Sequence, residues 1–150
     1  MDQYKFDKFA AEGNVFLSRL ATRLGYPENE SKAARVLKSV LYAIRNRLSL
    51  EESLQFISQL PLFLKALYVD GWRMGVRKER IRHLEEFLAD IRREDRKLFT
   101  EDFQNLSEVK LATSIVMGML GEYTSPGELK DIRAILPNEI GEFLEQAFAY

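Results

Sequence analysis

The chain contains no cysteine. Disulfides, thiolate metal sites and cysteine nucleophiles are therefore excluded, and the absence fits a cytoplasmic address. Histidine is almost as scarce: His83 stands alone, so neither a zinc site on paired histidines nor a ferritin-like di-metal centre can be assembled. The longest uncharged apolar run, Leu111 to Gly121, falls well short of the roughly 17–25 residues that span a bilayer, so no membrane partner is expected. The segment Met1 to Asp7 carries acids where a signal peptide needs bases and lacks an apolar stretch, so export is not expected. No glycine loop opens a helix in phosphate-binding form, and no serine–histidine–aspartate set is available. Catalytic residues, metals and cofactors are accordingly not expected.

What is present is the material of a packed helical domain. With 46% hydrophobic and 30% charged residues over 150 positions, the chain fits one domain, 1–150, and a chain of this length buries roughly 68–70% of its unfolded surface. Net charge is −1 and exerts no overall pull on nucleic acid or anionic lipid. Its distribution is uneven, because residues 98–150 hold 3 Lys/Arg against 9 Asp/Glu whereas residues 1–69 hold 10 against 7.

Two serine-to-proline stretches organise the chain. Ser49 is followed three residues later by Glu52, and Ser125 by Glu128. In each, the serine oxygen can accept a first-turn N–H while the glutamate reaches back, which predicts two helix starts. Both stretches close on Leu-Pro, at Leu60-Pro61 and Leu136-Pro137, where proline ends one helix and suits the start of the next. Around these marks the apolar spacing predicts about eight helices. A first helix presents Phe16, Leu17, Leu20 and Leu24 and ends at Gly25-Tyr26-Pro27. A second, capped by Asn29 or Ser31, turns Ala33, Leu37, Val40, Leu41, Ile44 and Leu48 inward and Lys32, Arg35, Lys38 and Arg45 outward. A third places Leu54 and Ile57 inward, and a fourth runs through Leu64 and Leu67. A fifth presents Phe87, Leu88 and Ile91. A sixth, capped by Ser107, is apolar nearly all round from Val109 to Leu120 and is expected to be central. A seventh and an eighth carry Leu129 and Ile132, then Ile140, Phe143, Leu144, Ala147 and Phe148. No stretch alternates as a strand does, and the expected class is all-α.

Shifting the chain by 76 lays Ser49 on Ser125, Glu52 on Glu128, Phe56 on Ile132, Leu60 on Leu136 and Pro61 on Pro137. The coincidence of cap, inward face and stop predicts one compact bundle of two similar four-helix units, about 1–70 and 79–150, with a linker at 70–78 marked by Gly71 and Gly75.

The stretch Gln59-Leu60-Pro61, then Leu64 to Tyr68, then Gly71-Trp72, then Arg82 to Leu88 resembles the bacterial family known only as domain of unknown function 2267. The second Leu136-Pro137 followed by Phe143 agrees with that family's duplicated pattern. The resemblance implies a compact all-helical protein, and because the family is uncharacterised it transfers no catalytic residue.

The candidate contact residues are Trp72, Arg73, Arg77, Lys78, Arg80 and His83. A cationic strip beside an aromatic ring can follow a phosphate backbone and stack on a base, while an ordinary solvated helix face reads the same way. The expected function is a non-catalytic helical interaction or scaffold protein whose partner is another protein or a second copy. The alternatives are nucleic-acid binding through Arg73 to Arg82, or a small-molecule pocket between the units near Asp70, Trp72 and His83.

Overall fold

The computed structural model describes residues 6–73 and 83–148, among which there are eight α-helices, one π-helical turn and no strand. The helices are α1 (Asp7–Leu24), α2 (Glu30–Arg47), α3 (Leu50–Ser58), α4 (Leu62–Val69), α5 (Leu84–Glu94), α6 (Leu106–Glu122), α7 (Pro126–Ile135) and α8 (Asn138–Phe148), with the π-helical turn at Leu98–Asp102 between α5 and α6. The all-α expectation holds.

Local chemistry sets the helix ends. At Ser49 and Ser125 both reciprocal bonds of the capping box form: each serine hydroxyl oxygen accepts from the glutamate N–H at 3.2 Å, and each glutamate carboxylate accepts from the serine N–H, at 2.9 and 3.0 Å. Gly25 closes α1 in the left-handed region at φ 95°, a conformation in which a side chain would strain the backbone. Asn29 caps α2 by accepting the Lys32 N–H. The cap of α6 is Asn105, whose side chain accepts the Glu108 N–H, and not Ser107, which lies exposed within the first turn. Asn105 competes better because its carbonyl oxygen reaches the third residue on from an extended backbone.

One hydrophobic core draws on all eight helices. At its centre α2 and α6 touch each other. In addition α2 packs against α1, α4 and α5, and α6 packs against α1, α5 and α8. Exchanging α1–α4 for α5–α8 turns each of these pairings into another that is present, and the same holds for α3 on α4 against α7 on α8. The helices of the central sets begin at 30, 50 and 62 and at 106, 126 and 138, 76 positions apart in every case.

Two face assignments need correction, one inward and one outward. On α3 the buried residues are Ser53 and Phe56, while Leu54 faces solvent. Burial follows the row Ser49, Ser53, Phe56 and Leu60, because Ser53 has a hydroxyl partner in the core. On α2 Arg45 is enclosed and does not face water, since two backbone carbonyls receive it.

Candidate functional site

The joint after α4 is built from the second half of α2 and the end of α4. Arg45 donates from Nη1 to the carbonyls of Tyr68 and Asp70, each at 2.8 Å, and so holds the last turn of α4 and the residue beyond it. Its guanidinium lies over the Tyr42 ring at 4.1 Å from the centroid, a cation–π contact on its other side. Tyr68 is fully buried and hydrogen-bonded to the Ser53 hydroxyl at 2.7 Å. Burial pushes its phenol up to about 12, against the opposing pull of the Ser53 bond and the Arg45 charge. Trp72 meets Tyr68 edge-on with centroids 5.8 Å apart and is half-buried against the core. Gly71, at φ 68°, makes the turn that returns Trp72 to this cluster.

The six candidate contact residues are not all brought together. Trp72 belongs to the joint, and Arg73 beside it is exposed. Arg77, Lys78 and Arg80 lie outside the described residues, as does Arg82. His83 is exposed and belongs to a different cluster: its Nδ1 lies 3.3 Å from Glu139 Oε2, while Glu139 Oε1 accepts the Leu84 N–H at 3.0 Å. Glu139 from α8 thus caps α5, whose own preceding side chain makes no cap. The Leu84 N–H first, and His83 second, hold the Glu139 carboxyl below the usual carboxylate range. The charged groups around these residues serve as caps and ion pairs. Arg47 with Asp90 and Arg35 with Asp102 tie α2 to the second half of the chain. Among the described residues no three acids or histidines are grouped to hold a metal ion, and no helix is long and apolar enough to cross a membrane.

Both capping boxes, the joint and the Glu139 cap fall inside residues 13–143, and that span matches the family model described as Uncharacterized conserved protein (DUF2267). The chain belongs to this family. The residues that carried the resemblance occupy structural roles: Leu60 and Leu136 are buried stops, Leu64 and Tyr68 fill the core, and Trp72 seals the joint. No curated protein matches the chain.

Sequence reasoning missed Arg45, Tyr42 and Ser53. Their signal was weak but present. A serine on the inward row of α3 and a tyrosine on that of α4 are two polar groups that must find partners once buried.

Proposed function

We propose that this DUF2267 protein is a non-catalytic interaction or scaffold protein that binds through helix faces. The observation that carries the proposal is a set of apolar side chains standing in solvent on the first half. Leu54 is 51%, Leu62 47% and Val69 42% exposed. The positions 76 later, on the matching helices α7 and α8, are Lys130, Asn138 and Glu145, all exposed. The same helical frame therefore accepts polar residues at these points, and packing does not demand leucine or valine there. We take these apolar groups, which the fold does not require, as a surface that a partner or a second copy covers.

The architecture supports the same view. We infer that the chain, 1–150, is two copies of one four-helix unit, about 1–70 and 79–150, joined by 70–78. The constant separation of helix starts, the twin capping boxes and the interchangeable pairings of the helices support this. Duplication of a unit frees one copy's surface to change while the shared core keeps both folded.

The test is size-exclusion chromatography with light scattering, followed by pull-down from cells that express the protein natively. Wild type should self-associate or retain a partner. The variant carrying Leu54→Lys, Leu62→Asn and Val69→Glu, which copies the second half onto the first, should lose that association with an unchanged melting temperature. A wild-type protein that stays monomeric at high concentration and retains nothing overturns the proposal.

A further inference from the structure

The outer face of α6 carries three adjoining hollows. One, of about 340 Å³, lies between α6 and α8 and is bounded by Leu111, Ser114, Phe143 and Ala147. A second, of about 220 Å³, lies toward the end of α1 and the π-helical turn and is bounded by Leu24, Tyr26, Phe103, Leu111 and Ile115. A third, of about 230 Å³, is bounded by Arg23, Ser114, Ile115, Gly118 and Ala147. Leu111 belongs to the first two and Ser114 to the first and third, so the hollows form one groove whose floor is α6. Leu111 itself is 66% exposed. A hollow of roughly 150 Å³ holds a benzene ring, so each can receive one large apolar side chain. From Leu111 to Gly118 the floor rises roughly 10 Å, which is also the distance from i to i+7 on an incoming helix.

Among the described residues the matching face of α2 is covered. At the positions 76 earlier stand Arg35, Ser39 and Tyr42. Arg35 is ion-paired with Asp102 of the π-helical turn at 2.9 Å, Ser39 is buried, and Tyr42 is covered by Arg45. The chain covers that face with its own Leu98–Asp102 segment. The connection from α1 to α2, residues 25–29, is too short to do the same for α6.

The rim charges select the occupant. Of the carboxylates on the groove's lining, Asp102 is paired with Arg35, while Glu108 accepts the Gln104 N–H, a neutral donor that does not cancel its charge; Arg23, also on the lining, is paired with Glu122. Among the described residues Lys110 has no ion-pair partner, and Lys32 rests on the Tyr26 ring. On the described lining Lys32, Lys110 and Arg23 stand against Asp102 and Glu108, so the balance of charge at the groove is positive by one. We propose that the α6 groove docks an acidic amphipathic helix of a partner protein, with large apolar residues at i, i+4 and i+7 seated in the hollows and carboxylates facing Lys110 and Lys32. This rests on the interaction reading above and names the partner's chemistry.

Two labelled synthetic peptides test it by fluorescence anisotropy at low salt. Both are 16-mers with leucine at i, i+4, i+7 and i+11, one with glutamate and one with lysine at the remaining face. The glutamate peptide should bind saturably and at least tenfold more tightly than the lysine peptide. Leu111→Arg with Ile115→Ser, which writes the α2 residues onto α6, should weaken it at least tenfold. Lys110→Glu, an exposed change that leaves the core intact, should narrow or reverse the preference between peptides. Equal binding of the two peptides, no saturable binding, or indifference to both variants overturns the docking site. A photo-crosslinking residue placed at Leu111 in native cells reads the occupant directly. A crosslinked acidic helical segment of another protein supports the proposal, and a crosslink only to a second copy or to lipid overturns it. If the α6 site fails while the Leu54, Leu62 and Val69 variant still abolishes association, the interaction reading stands and this site alone falls.

Discussion

The two halves of the bundle have helix starts 76 residues apart and corresponding helix pairings, yet they are filled differently. In the first half the space beside the second helix is filled by a polar cluster: Arg45 on two carbonyls, Tyr42 beneath it, and Tyr68 bonded to Ser53. In the second half the same positions, 76 later, hold Gly121, Gly118, Leu144 and Leu129. Leu144 is fully buried and needs no partner, whereas Gly118 lets the Ala147 carbonyl approach to 3.2 Å of where a Cβ would stand. A polar filling demands hydrogen-bond partners from neighbouring elements and so closes its region, though among the described residues the buried Arg45 Nε finds none. An apolar and glycine filling makes no such demand and leaves a surface groove open.

The largest effect tests whether the frame is truly shared. Leu64 on α4 and Ile140 on α8 are matched and buried, and alanine at either should cost about 2–5 kcal/mol by chemical denaturation. A loss at only one of them would break the equivalence. Next in size is Arg45→Ala, which strips two carbonyls of a charged donor and should cost about 2–3 kcal/mol; no substitution in the second half has this counterpart.

A pH titration sharpens the contrast further. The Tyr68 phenol stands at about 12 in the fold against an unfolded value near 10. The folded state thus keeps a proton that the unfolded state has lost. The stability this confers is complete below about pH 10 and is lost as pH rises through about 12, an amount of roughly 3 kcal/mol. Tyr26, raised to about 12 chiefly by burial, adds in the same direction. Tyr68→Phe should flatten the alkaline fall measured by thermal melts between pH 9 and 12, and at neutral pH should cost about 1 kcal/mol for the lost bond to Ser53. Pairing it with Ser53→Ala should cost less than the two single losses added together. The smallest change compares the caps. Ser49→Ala and Ser125→Ala should each remove about 1 kcal/mol, and equally, since the two capping boxes match within 0.1 Å.

Much of this was legible in the chain. Ser49 with Glu52, Ser125 with Glu128, and the two Leu-Pro stops placed the helix ends because a cap is made within four residues and proline acts on its neighbour. The inward face of α2, from Ala33 to Leu48, followed from apolar spacing and is buried throughout. Periodicity failed where a side chain's fate depended on distant backbone. Arg45 sits on the polar side by spacing alone, and only the end of α4, 23 residues on, supplies the carbonyls that enclose it. Leu54 looked inward for the same reason that Ser53 did not: its apolar character was visible and the Tyr68 hydroxyl was not.

By itself the sequence determined an all-helical chain, the ends of most of its helices and its family, because each rests on short-range bonding, backbone restriction or residue pattern. The tertiary structure alone decided that Arg35 meets Asp102 across 67 residues, that Glu139 caps α5 from α8, and that α6 keeps an open face where the Leu98–Asp102 turn packs on the matching face of α2. These depend on which surfaces meet when the core forms, and no local periodicity encodes the partner a side chain finds on another helix.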